Sequence, residues 1–501
     1  MNELRPRRLL AGAAALSTLL ALAQPGGAAT AIEPYAISLD PALVVTPLWS
    51  VGDEVPLTGG GGTYQMVGIP DGLGAHRDKR DETTTLYMNH ELGNAVLSAP
   101  FVGGTRQRGS IVSRLELDDE GNVLSGDLAY GAVYQENTLI GSPADELNAT
   151  RGFGRFCSGA LFGKEAGFDR PIFLTGEESD GAATFDGKGG QTVAVFDDEA
   201  HALPKLGHFS KENTIVRPKG GKETVIISLE DGPTTPDSQL YLYVGQKDRK
   251  AGTVLGRNGL DNGSLYVFVA DVGLADEGDF TEGSLDGHWV EIPGAGGMTD
   301  TALEAAADAA GAFGFVRIED GAFNPRHHDD FFFVTTGSSS GGENELGRLY
   351  HLELEGGNPA EKDAELTVVY NADTIVAGGG DIALSPDNMD VSKDAIVIQE
   401  DGTTESRAVM GAKGRDGSIW WLPLHGHDNV DVAGATRMVE LDPPGRDGTA
   451  VGPGVWESSG IIDAAEELGE GTWLFDVQAH GPTTAPEPGT VEDGQLLLLR
   501  R

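Results

Sequence analysis

The sequence predicts an all-β protein, and three observations carry that reading. Glycine is unusually frequent, at 73 of 501 residues, and 25 prolines accompany it, which suits many short strands joined by tight turns. Short runs of β-branched, aromatic and aliphatic residues recur, each bounded by Gly, Asp, Asn or Pro. A short acidic tag repeatedly follows such a run.

The strand-like runs are Thr85–Met88, Pro171–Thr175, Thr224–Ser228, Leu240–Val244, Asp330–Thr335 and Ala395–Ile398. The Ala-rich run from Thr301 to Ala312 is the clearest helical candidate. Hydrophobic residues make up 39% of the chain, enough for a sizeable core. No composition break marks a linker after residue 32, so residues 32–501 are expected to form a single domain.

Residues 1–31 read as an export signal that is removed. Arg5, Arg7 and Arg8 precede the apolar run Leu9 to Ala23, and Ala28, Ala29 and Ala31 supply a small-residue cleavage region. The Arg7-Arg8 pair before Leu9-Leu10 points to twin-arginine export, and the expected destination is periplasmic or secreted. No later stretch is apolar for the ~18 residues that a membrane span needs. One cysteine allows no intrachain disulfide, so something else must stabilise the exported chain.

The balance of 35 basic against 78 acidic residues gives a formal charge of −43. Such a surface repels nucleic acid and anionic membranes, which makes both poor partner candidates. The excess acid reads as a solvated, solubilising surface, with a minority of the carboxylates left to bind cations such as calcium.

The acidic tags organise the chain. They are Asn89-His90-Glu91, Glu177-Glu178, Glu230-Asp231, Glu319-Asp320, Glu400-Asp401 and the divergent Asp476-Val477-Gln478-Ala479-His480. They lie roughly 50 to 90 residues apart, room for about one four-stranded sheet with insertions. Six such sheets set radially make a six-bladed β-propeller with insertions, and equivalent strand ends then converge on a central channel. Carboxylates gathered there are tolerable only when cations neutralise them, so a metal site in the channel is expected. Oxygen ligands suit calcium, magnesium or manganese, and a thiolate shifts preference towards a transition metal such as iron. The alternative is that each tag is a surface turn, since Glu-Asp-Gly is a common turn sequence. Cys157 reads equally as a ligand, which would protect the thiol from oxidation, or as a small buried apolar residue.

Other motifs fail on context. Gly337-Ser338-Ser339-Ser340-Gly341 has the spacing of a nucleophile elbow but leads towards a strand and not a helix. Neither Gly59 to Gly62 nor Gly220-Gly221-Lys222-Glu223-Thr224 is a phosphate-binding loop. His327-His328-Asp329-Asp330 could bind metal, yet it precedes a strand and reads as an outer surface turn.

From about Asn89 to Asp476 the sequence resembles the PhoX family of exported bacterial alkaline phosphatases. The resemblance is carried by Cys157-Ser158-Gly159 and Leu174-Thr175-Gly176-Glu177-Glu178, with Leu229-Glu230-Asp231-Gly232 and Arg317-Ile318-Glu319-Asp320 in order after them. Ser385-Pro386-Asp387-Asn388 and Gln399-Glu400-Asp401-Gly402 continue the series. Phe156 stands where the family has a polar residue, and the spacer to Glu177 lacks its tryptophan-containing segment, which marks a divergent member. The resemblance implies a β-propeller with a buried iron and calcium cluster that hydrolyses phosphate esters. It implies Cys157 as an iron ligand, Glu230 and Glu319 as bridging carboxylates, and Glu177, Glu178 and Asp401 as further ligands; Glu91 and Glu400 join them through the tag repeat. Arg317 would grip the substrate phosphate, as a guanidinium does well. The expected function is therefore a metal-dependent phosphatase, with phosphomonoesters as substrates, calcium and iron (Fe3+) as cofactors, other divalent metals being an alternative, and a monomeric state. Two rivals are a calcium-stabilised propeller that only binds a ligand, and a related hydrolase of phosphodiesters, phytate or lactones.

Overall fold

A computed structural model describes residues 30–501 except 78–82, 144–150, 220, 339–341, 343, 444–447, 449–450 and 482–486. Residues 1–29, most of the expected export signal, and Ser339 of the elbow-like motif lie outside the described residues.

Six strands stand side by side around a central channel. In chain order they are Pro70–His76, Phe156–Phe162, Lys211–Val216, Ile318–Asn324, Pro386–Val391 and Glu457–Asp463, the inner strands of blades 1 to 6. Each neighbours the next, and the sixth returns to the first. From each, a sheet extends outward, its first neighbour antiparallel, the second strands being Thr84–His90, Ile172–Glu177, Glu223–Glu230, His327–Thr335, Ala395–Glu400 and Thr472–Ala479. Blades 3 and 4 share one nine-stranded sheet, because Gly283–Glu291 pairs with Asp363–Asn371 along their outer edges. The ring is closed without a disulfide: Val44–Ser50, from the start of the domain, pairs with the last strand, Asp493–Arg500, and completes blade 6.

Alternation explains why the second strands read as continuous apolar runs. Successive side chains point to opposite faces of a strand, and here both faces are covered by neighbouring blades. Phe331 and Phe333 pack into the seam of blades 3 and 4, while Phe332 and Val334 enter the seam of blades 4 and 5. Ile396 and Ile398 share that latter seam, and Val397 between them faces blade 6. The core is therefore a set of radial seams, with Leu73, Met88 and Leu474 between blades 6 and 1, and Tyr87, Phe173 and Val193 between blades 1 and 2.

Five of the six expected strand segments lie wholly in strands, and the sixth does so from Ile172 onward, Pro171 preceding the strand. The Ala-rich helix runs Asp300–Ala310, capped by the Thr299 side chain on the amide of Ala302 and ended by Gly311 at φ 82°. No helix among the described residues is long and apolar enough to cross a membrane.

Candidate metal centre

One irregularity recurs at the mouth of the channel. In every blade the pairing of the inner strand with the second strand breaks, leaving two inner-strand residues outside the ladder. Such bulges re-aim side chains. The first residue of the bulge is Asp71, Cys157, Glu212, Glu319, Asp387 and Gly460 in blades 1 to 6. Five of the six therefore place a carboxylate or thiol at one level of the ring.

A second repeated feature sits two residues earlier. Ile69, Arg155, Arg317 and Ser385 occupy the left-handed region, with φ of 52°, 46°, 55° and 44°. Their carbonyls accept hydrogen bonds from the amides of Glu91, Glu178, Thr336 and Asp401 at 2.8–3.0 Å. That bond fixes the residue just past the second strand against the channel mouth. Non-glycine residues with positive φ are uncommon and collect at functional sites.

These devices bring ligand atoms together in overlapping groups. Asp71, Glu91 and Cys157 form one, Cys157, Glu178 and Glu212 the next, and Glu212, Glu319 and Asp387 a third, with the atoms of each group within 4.8 Å of one another. Cys157 and Glu212 are shared, so the three join into one chain of donors across blades 1 to 5. The second bulge residues brace it from below. Ser158 Oγ donates to Glu212 at 2.5 Å, Asn213 Nδ2 to Asp320 at 2.6 Å, and Asn388 Nδ2 to Ser158 Oγ at 2.5 Å. Gln478 Nε2 reaches Asp71 at 3.1 Å and Glu91 at 3.3 Å.

Two guanidinium groups flank the cluster at equivalent places. Arg155 bridges Glu91 at 2.5 Å and Glu178 at 2.7 Å, and remains half exposed. Arg317 donates from Nε to Asp231 at 2.9 Å and lies 2.9 Å from Glu319 through Nη2.

The donor set fits cations. Asp71 Oδ1, Glu212 Oε2 and Asp387 Oδ1 are buried with no hydrogen-bond partner among the described residues. Burial first, and then repulsion from neighbouring carboxylates, raises Asp71, Cys157, Glu319 and Asp387 well above their ordinary range. Burial lifts Glu212 to about 8 against the hydrogen bond from Ser158. Two arginines cannot neutralise six carboxylates and a thiol, so such a cluster needs positive ions to stay charged in the interior.

The structure divides the residues singled out in the sequence. Cys157, Glu91, Glu178 and Glu319 join the cluster, and Arg317 stands at its edge. Asp401 is held next to the mouth by the Ser385 carbonyl, and burial raises it to about 6. Glu177, Glu230 and Glu400 have other partners. Glu177 Oε1 accepts from the amides of Gly154 and Phe185 at 2.9 and 2.8 Å. Glu230 accepts from the amide of Gln239 at 2.8 Å. Glu400 is clamped by Arg415 at 2.6 and 2.8 Å and by the amide of Leu384 at 2.7 Å. The reason is the strand period: these three end the second strand, and the next residue, one step on, points the other way. Glu319-Asp320 is also not equivalent to the other tags, because it lies in an inner strand. Asp71, Glu212 and Asp387 escaped the tag pattern for the same reason, each being a single acid at the start of an inner strand.

Fold and site together define a six-bladed propeller with a buried cluster of carboxylates and one thiol that could hold metal ions. Residues 194–438 match the model of the family described as alkaline phosphatase PhoX. That stretch, just under half of the chain, is thus similar to a family of metal-dependent alkaline phosphatases. Among solved structures it is similar to Pseudomonas fluorescens PhoX in complex with vanadate, a transition-state analogue. The two are 16% identical, the alignment covers 95% of this chain and 98% of that one, and the TM-score is 0.65. A family GH93 arabinofuranosidase of Fusarium graminearum aligns at 10% identity, 93% and 98% coverage and a TM-score of 0.41. The periplasmic gluconolactonase of Pseudomonas aeruginosa does so at 11%, 80% and 96%, and 0.34. No curated protein matches the chain.

Proposed function

We propose that the protein hydrolyses phosphomonoesters outside the cytoplasm, as an exported monomer, with calcium and iron held in the channel. The observation that supports this best is the linked set of ligand groups flanked by Arg155 and Arg317. Cys157 selects a transition metal such as iron, and the surrounding carboxylates suit calcium. Metal ions in such a site polarise the phosphoryl oxygen and lower the pKa of the attacking group.

The chain's own residues do the rest. Arg317, fixed by Asp231, turns its guanidinium towards the mouth and pairs with equatorial phosphoryl oxygens as charge builds on them. Arg155 is its counterpart from blade 2, on the same left-handed turn and braced by the same kind of acidic pair. Two guanidinium groups also offset the field of a chain at −43, which otherwise opposes an approaching phosphate. Arg317 is taken as the residue that touches the transferring group, and Arg155 as a second contact to the anion.

The test is hydrolysis of p-nitrophenyl phosphate and of bis-p-nitrophenyl phosphate, with and without chelator. Chelator-sensitive turnover of the monoester above the diester is expected. Preference for the diester would move the enzyme to phosphodiesters, and no turnover of either would favour a propeller that only binds.

A further inference from the structure

We infer a second metal site, made by His327, Asp330 and His427 on the face of the propeller away from the channel mouth, that takes a zinc-like ion. In blade 4 the second strand runs His327–Thr335, and Thr335 pairs with Ile318 beside Arg317 at the mouth. Asp330 lies five residues from that end, roughly 16 Å along an extended strand. The site is thus distinct from the central cluster and independent of the phosphatase reading.

The three ligand atoms lie within 4.8 Å of one another and come from two blades. His327 and Asp330 belong to blade 4. His427 sits in the turn between Ser418–His425 and Asn429–Val430 of blade 5. Its ring stacks on that of His327 with centroids 4.5 Å apart and planes at 26°. Nδ1 of His427 is 3.9 Å from Asp330 Oδ2, too far for a hydrogen bond and close enough for a shared ion.

The surroundings orient these groups. Asp330 is 4% exposed, and its other oxygen pairs with His351 Nε2 at 3.0 Å. That contact fixes the carboxylate and leaves Oδ2 to face the imidazoles, the arrangement by which an outer hydrogen bond orients a metal ligand. The turn carrying His427 is pinned by fully buried Asn324, whose Nδ2 donates to the carbonyls of Gly426 at 3.3 Å and His427 at 3.0 Å. Two imidazoles and one carboxylate suit zinc and its neighbours over calcium or magnesium, and leave a fourth position for water.

The experiment is zinc titration of the full-length protein as purified, with its own metals in place, by isothermal calorimetry. One equivalent is expected in the wild type and none in His327→Ala or His427→Ala, both surface substitutions that leave the fold intact. Cobalt should give ligand-field bands of a four- or five-coordinate site in the wild type alone. Wild-type melting temperature should rise with zinc and that of His427→Ala should not. Equal zinc binding by wild type and both variants, or displacement of zinc by equimolar calcium, would overturn the site.

Discussion

Gly72→Ala should damage the centre without altering a ligand. Gly72 is the second bulge residue of blade 1, beside the bulge of blade 2. A Cβ there would lie 2.1 Å from Gly159 N, 2.5 Å from Ser158 C and 2.7 Å from Gly159 Cα. Carbon contacts of this kind relax only near 3.5 Å or beyond, and all three atoms are backbone, so no rotamer change relieves the clash. The two inner strands must part by about 1 Å, at a cost of about 1–3 kcal/mol for overpacking. The displacement falls on Asp71 and Cys157, whose Oδ2 and Sγ are 3.4 Å apart. A misplacement of about 1 Å in such a site lowers turnover on the order of 100-fold. Thermal melting, metal content and phosphatase turnover are measured together, with Gly131→Ala as control because no described residue lies within 4 Å of its added Cβ. Wild-type melting, metal content and turnover in Gly72→Ala would refute the close seam between blades 1 and 2.

Three further outcomes are expected. Glu277 is fully buried and accepts from Val316 N at 2.9 Å, Asn344 Nδ2 at 2.8 Å and Tyr350 Oη at 2.5 Å, with Arg348 3.8 Å away. Glu277→Ala strips the buried guanidinium of its carboxylate and should cost about 3–5 kcal/mol in urea unfolding, and a loss under 1 kcal/mol would contradict it. Cys157→Ala should release metal and activity together, whereas Arg317→Ala should keep metal and lower kcat/KM. Full metal and activity in the cysteine variant would leave Cys157 only a packing role. His480 lies 2.8 Å from Glu492 and 3.5 Å from Glu457. Burial lowers its pKa, but the two carboxylates outweigh burial and raise it to about 10. Its stabilisation is then fully present below the unfolded value near 6.5 and is lost as pH rises towards 10. Melting of His480→Gln should show less decline than wild type across that window, and identical pH profiles would refute the assignment.

The sequence made the blades legible because their strands are buried on both faces. Phe331–Val334 and Ala395–Ile398 carry apolar residues at every position, which marks strands however the sheet is assembled. The site was legible only in part. Tags at the ends of second strands pointed to Glu91 and Glu178, but of two adjacent acids only one can face the channel, and tag spacing does not say which. Glu177 and Glu400 therefore looked like ligands, although one caps backbone amides and the other pairs with Arg415. Asp71, Glu212 and Asp387 were hidden by the bulges, since a bulge depends on pairing with a distant strand and leaves no mark on one acid in a local run. The left-handed turns at Arg155 and Arg317 were equally unreadable, because neither residue type favours positive φ.

The most direct test of the metal centre is anomalous diffraction from crystals of active enzyme, recorded on both sides of the iron absorption edge. An iron peak is expected about 2.3 Å from Cys157 Sγ, with further metal density bounded by the carboxylates of Asp71, Glu178, Glu212, Glu319 and Asp387. A channel without metal density in crystals that still hydrolyse phosphate ester would contradict it.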